Sequence, residues 1–152
     1  MFGIPSFKGN VIKEINTEQH ATAQAINAVR KALQLQHMAR VALEKQNIPQ
    51  YSAYRTDVYN VLGVAVQAAH KINIEASKLR KQTPGSITNQ ECRMVHDIIS
   101  RILDARNYTA GREMNIIEAR KKGVAVENKL RFILNEENIL LGIERKLRGK
   151  IR

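Results

Sequence analysis

One stretch limits what this chain can fold into: Thr83-Pro84-Gly85-Ser86 followed at once by Thr88-Asn89-Gln90-Glu91. Proline biases Thr83 away from the helical region, and Gly85 supplies the positive φ that a tight turn often needs. A helix arriving from the N-terminal side is therefore predicted to stop near Gln82. Thr88-x-x-Glu91 is the pattern of a capping box, in which the Thr88 hydroxyl accepts from the Glu91 amide and the Glu91 carboxylate accepts from the Thr88 amide. Apolar residues then recur at Val95, Ile98, Ile99, Ile102 and Ala105, the spacing of one helix face, with Asp97 and Arg101 four apart on the opposite side. No alternating strand pattern with hairpin turns appears elsewhere, so the fold class is all-α.

The rest of the chain divides around that break. Residues 1–15 read as an N-terminal arm, with Pro5 and Gly9 acting against helix and Val11, Ile12 and Ile15 available for packing. Asn16 is a candidate cap for a first helix over about 17–46, with Thr22, Ile26, Val29, Leu33 and Gln36 on one seam and Ala21, Ala25, Ala28 and Ala32 on another. Asn47-Ile48-Pro49-Gln50 ends it. A second helix over about 52–82 carries Tyr54, Val58, Val61, Ala65, Ala68, Ile72, Ala76 and Leu79 on one face, widened by Leu62 and Val66. So short a link predicts an antiparallel hairpin spanning 16–82. After the break at 83–89, residues 90–148 read as a basic helical region. There Gly111 is taken as a tolerated glycine in one long helix, and Arg120-Lys121-Lys122-Gly123 as a place where one helix ends before another begins. The result is three to four long helices, with a basic tail end at 149–152. Their apolar stripes look too long for so few helices to cover, and exposed stripes usually mark interfaces. The expectation is a homo-oligomer, a ring or tube with Val58, Val61, Ala65, Ile72, Val95, Ile98 and Ile102 at the subunit contacts.

The 152 residues carry a formal net charge of +11, with 5% aromatic residues and no tryptophan. Residues 1–76 hold eight basic and five acidic side chains, whereas 77–152 hold seventeen and nine. Such a bias calls for an acidic partner. Asp97/Arg101, Glu118/Lys122, Glu127/Arg131 and Glu144/Arg148 each set an acid four residues before a base, the favoured order for helical pairs. Arg106, Arg112, Arg120, Lys121 and the tail residues Arg145, Lys146, Arg148, Lys150 and Arg152 are the candidate contacts to double-stranded DNA. With only Tyr108 and Phe132 as stacking platforms, that contact is expected to be non-specific.

Catalytic and metal patterns are sparse. His20, His37, His70 and His96 lack the spacing of a helical metal site, and the chain shows no phosphate-binding loop or nucleophile elbow. Glu136-Glu137 is the only adjacent pair of carboxylates, and helical neighbours diverge by about 100°. No enzyme activity, cofactor or metal is expected. The lone Cys92 excludes an intrachain disulfide framework and reads as a small apolar side chain. The first residues lack the charge-then-apolar order of a secretory signal, and Val58 to Ala69 is too short to span a bilayer, so a soluble, cytoplasm-made protein is expected.

An Ala/Gln-rich helix (Ala21-Thr22-Ala23-Gln24-Ala25), a second long helix, a small-residue loop (Pro84-Gly85-Ser86) and a capped helix followed by Arg106-Asn107 and Arg112-Glu113-Met114-Asn115 together resemble the small internal virion (DNA-ejection) proteins of short-tailed bacteriophages. The resemblance covers roughly residues 17–122 and is compositional. It implies a structural virion protein, packaged near the portal and tail proteins, ejected ahead of the genome and reassembled as an oligomeric conduit that meets the host membrane. The chain departs from that pattern in its less apolar N-terminus and in lacking the longer tail. The other reading the residues support is a basic helical nucleic-acid-binding module of a packaging or nucleoid apparatus.

Overall fold

The structure, a computed structural model, describes residues 20–151 except Arg112 and Met114, and the backbone alone of Lys150 and Ile151. The expected arm and the expected helix start near Asn16 lie outside the described residues. Five helices and no strands are found among those described: α1 (Ala21–Glu44), α2 (Ile48–Gln82), α3 (Asn89–Ala110), α4 (Ile116–Asn135) and α5 (Glu137–Ile151).

Each of the first four helices packs on two neighbours and none on the helix diagonally opposite: α1 on α2, α2 on α3, α3 on α4, and α4 back on α1. This is a closed four-helix bundle. The fifth helix touches all four and lies across the end where α1 begins, α2 finishes and α3 begins. Closure accounts for the apolar stripes. Ile26, Val29, Val58, Val61, Leu62, Ile72, Val95, Ile98, Ile102, Leu130 and Ile133 meet in one core, to which α5 adds Leu140 and Ile143. The stripe of alanines on α1, Ala21, Ala25, Ala28 and Ala32, is buried, as close approach of two long helices requires.

The capping box forms as the sequence predicts, with Thr88 Oγ1 accepting from the Glu91 amide at 3.0 Å and Glu91 Oε1 accepting from the Thr88 amide at 2.9 Å. Gly85 takes φ +88°, and α2 ends at Gln82.

Three expectations are corrected. Asn47-Ile48-Pro49-Gln50 does not merely end α1 but opens α2, four residues earlier than expected. Asn47 caps it by accepting from the Gln50 amide at 3.2 Å, and Pro49 sits in the first turn, where no amide partner is needed. Gly111 is not inside a helix: α3 stops at Ala110, and Gly111 is extended, at φ −92° and ψ 179°. Arg120-Lys121-Lys122-Gly123 lies within α4, whose start is fixed instead by Asn115 accepting from the Glu118 amide at 2.9 Å. Its end falls at Glu136, so Glu136 and Glu137 straddle the junction of α4 and α5. Among the described residues five helices therefore replace the expected three to four.

Candidate nucleic-acid interface

All four pairs expected within single helices form, at 3.1 Å for Asp97–Arg101, Glu118–Lys122 and Glu127–Arg131 and 3.2 Å for Glu144–Arg148. Contacts between helices remove further cations from the free set. Arg30 meets Glu137 at 2.7 Å, Arg40 meets Glu127 at 2.9 Å, and Lys146 meets Glu91 at 2.7 Å.

The nine candidate DNA contacts separate accordingly. Arg106 turns inward: its guanidinium lies 3.9 Å from the centre of the Tyr59 ring and donates to the Tyr59 carbonyl at 3.1 Å, in room left by Gly63. It is a half-buried packing residue and does not offer its charge to a ligand. Arg120 makes a two-pronged bond to Glu44 at 2.7 and 2.8 Å, and these bonds hold the Glu44 carboxyl below its ordinary pKa. Lys121 and Arg145 are exposed and make no ion pair or hydrogen bond among the described residues. Lys146 and Arg148 are held by Glu91 and Glu144 but remain on the surface. Arg112, the Lys150 side chain and Arg152 lie outside what is described.

The structure adds cations that sequence reasoning missed. Lys71, Lys78 and Lys81 stand seven and three residues apart on one exposed face of α2, and Arg93 is exposed in the first turns of α3; none is paired among the described residues. The signal was present, because no acid lies four residues before any of them. Arg80 Nη2 donates to Asn89 Oδ1, and its Nη1 lies 3.2 Å from the half-buried Cys92 Sγ, tying the end of α2 to the start of α3. Lys146–Glu91 and His20–Glu144, the latter at 3.5 Å, tie α5 to α3 and to the start of α1. These contacts gather Lys78, Arg80, Lys81, Arg93, Arg145, Lys146 and Arg148 at one end of the bundle. The acids near it include Glu75, Glu91 and Glu144, of which Glu91 is engaged by Lys146 and Glu144 by His20 and Arg148.

At the opposite end a polar cluster fastens the link between α3 and α4. Arg55 pairs with Glu113 at 2.5 Å and donates to the carbonyls of Tyr108, at 3.2 Å, and Gly111, while the Tyr51 hydroxyl donates to Glu113. Burial first, then the hydrogen bond to Glu113 and its charge, push the Tyr51 hydroxyl well above its ordinary pKa. A cavity of about 420 Å³ adjoins this cluster, lined also by Leu43, Ile48, Ile116 and Ala119.

The chain matches no protein family, no curated protein and no solved structure. Its function has to be read from its own surface. No group of three or more His, Cys, Asp or Glu among the described residues is arranged to hold a metal ion, and no described helix is long and apolar enough to cross a membrane.

The seven residues expected at subunit contacts, Val58, Val61, Ala65, Ile72, Val95, Ile98 and Ile102, are each 1% exposed or less within the single chain. The bundle's own helices cover them, because four helices closed in a ring hide stripes that a hairpin plus one helix would leave open. They offer no surface to a neighbour.

Proposed function

We propose that this chain is a non-catalytic helical protein that associates with double-stranded DNA through its basic end, contacting phosphates without reading bases. The observation that carries this is that Lys78, Lys81, Arg93 and Arg145, drawn from three helices that meet at one end of the bundle, are exposed and without carboxylate partners among the described residues. Free, exposed cations on rigid helices act as point charges for a phosphate backbone, and binding them releases the counterions of the duplex. Among the described residues three rings face cations: Phe132 lies under Arg101 at 3.7 Å, Tyr59 under Arg106 at 3.9 Å, and Tyr108, 5.9 Å from Lys129 Nζ, stands at the opposite end of the bundle from the basic end. Base stacking therefore adds little, and sequence independence is the expected behaviour.

The setting we propose is a phage virion, where a protein made in the host cytoplasm is packed beside the genome and the portal or tail proteins. That setting rests on the resemblance over residues 17–122 alone. Within it, the closed bundle favours a DNA-associated unit over a conduit of side-by-side helices, since the stripes such a conduit would use are spent inside the monomer. Fluorescence anisotropy with two unrelated 20-base-pair duplexes tests the reading. Equal affinities that fall together with rising salt support it; salt-insensitive binding or a strong preference for one duplex contradicts it.

A further inference from the structure

Five of the eight large apolar side chains exposed among the described residues, Val41, Ile48, Ile116, Ile117 and Val124, lie along α1 and α4 or at the first residue of α2. Ile117 is 60% exposed, Val124 53% and Val41 39%. Ile117 and Val124 are seven residues apart on one face of α4. The Arg120–Glu44 and Arg40–Glu127 pairs set α1 and α4 in register so that Val41 and Val124 stand at the same level of the seam. The seam has a cavity at each end: the one of about 420 Å³ lined by Leu43, Ile48 and Ala119, and another of about 350 Å³ lined by Leu33, Leu134, His37 and Arg131. Ala119 and Arg131 are twelve residues apart on α4, roughly 18 Å at 1.5 Å per residue. That separation fits the first and last anchors of an apolar helix stripe spaced i, i+4, i+7 and i+11.

The rim is basic. Arg30 and Arg40 on α1 and Arg120 and Arg131 on α4 border the seam, each paired with a carboxylate, and Lys45 and Lys121 are exposed and unpaired among the described residues. Against these six cations stand Glu44, Glu127 and Glu137, each already held by arginine. We propose that the seam between α1 and α4 is a docking groove for an acidic amphipathic helix of a partner protein. Its leucine-type anchors enter the two cavities and cover Val41, Ile117 and Val124, while its flanking carboxylates meet the basic rim. A DNA backbone would leave the valines and isoleucine uncovered, and a second copy of this chain would bring one basic rim against another. The groove is separate from the basic end, so it stands or falls apart from the DNA reading.

The probe is a fluorescein-labelled 18-residue helical peptide with leucine at i, i+4, i+7 and i+11 and glutamate beside them, titrated against the full chain by anisotropy. Controls are a scrambled peptide of identical composition and a version with lysine in place of glutamate. Saturable binding of the designed peptide, at least tenfold tighter than either control and at least tenfold weaker for Val124→Glu and Ile117→Glu, is the expected result. Both variants should keep the wild-type melting temperature and duplex affinity, because both side chains are exposed. Equal binding by the scrambled peptide, equal binding by the two variants, or a dimer of the chain alone that Val124→Glu abolishes would overturn the proposal.

Discussion

Glu91 performs two tasks with one carboxylate oxygen, and separating them tests how α5 is held to the bundle. Its Oε1 accepts from the Thr88 amide at 2.9 Å and from Lys146 Nζ at 2.7 Å, so the box that starts α3 also anchors the end of α5. Thr88→Ala removes the cap acceptor alone and is expected to cost about 1 kcal/mol, within a range of roughly 0.5–2. For a chain of this size that is a fall in melting temperature of roughly 2–4 °C. Lys146→Ala breaks a partly exposed ion pair and should cost about 0.2–1 kcal/mol. Glu91→Ala loses both bonds and should exceed either, and the Glu91→Ala/Lys146→Ala cycle should show a coupling of about 0.5 kcal/mol. Burial works to raise the Glu91 pKa, but the bonds from Lys146 and Thr88 and the charge of Lys146 outweigh it and hold the carboxyl below its ordinary value. A group depressed in this way stabilises the fold above its unfolded pKa of about 4.3. Its contribution is lost as pH falls through the lower folded value. Urea unfolding followed by circular dichroism between pH 3 and 7 measures all of this. An unchanged melting temperature in Thr88→Ala, or strict additivity of Glu91→Ala and Lys146→Ala, would refute the shared-oxygen account.

Three further perturbations follow from the backbone and the buried cluster. Gln46 occupies the left-handed position after α1 at φ +60°, with the Asn47 amide donating to the Ala42 carbonyl at 2.9 Å, so Gln46→Gly should raise stability by about 1 kcal/mol in thermal unfolding. Gly85→Ala should destabilise by about 1 kcal/mol because of its positive φ, whereas Gly111→Ala, extended and with open space around it, should stabilise by about 0.4–1 kcal/mol; the opposite signs are the check. Since the Tyr51 pKa is raised on folding, its contribution is complete below the unfolded value of about 10 and is lost as pH rises above it. Tyr51→Phe should flatten that alkaline loss, as read by urea midpoints from pH 8 to 11.

What was legible in the sequence is what local geometry decides. The Thr88–Glu91 box, the Gly85 turn, the four acid-to-base pairs and the stripe Val95, Ile98, Ile102 all depend on residues within a few positions of one another, and all are found. Asn115-Ile116-Ile117-Glu118 carries the same kind of start signal as Thr88, but the polar stretch around Gly111 is equally compatible with a continuous helix. Pro49 is ambiguous in the same way, since proline both stops a helix and is at home in a first turn. The closing of α4 onto α1 was not legible, because it depends on which of several apolar faces meet in space. That closure helps bury the supposed interface residues in the core, while the packing of α3 on α2 turns Arg106 onto Tyr59. The share of α5 in the basic end was equally hidden, since Arg145 reaches the end that carries Lys78, Lys81 and Arg93 only because α5 crosses the bundle.

The central claim, that this end binds the DNA backbone, meets its most direct test in the salt dependence of duplex binding by wild type and by the variant with Lys78, Lys81, Arg93 and Arg145 all changed to Gln. Each phosphate contact contributes about 0.9 to the slope of log affinity against log salt, so four lost contacts should flatten the slope by roughly 3.6. The same change should erase about two decades of the affinity difference between 50 and 200 mM salt. That flattening is expected to be equal for unrelated duplexes, with helix content and melting temperature unchanged. A four-fold variant that keeps the wild-type slope would contradict it.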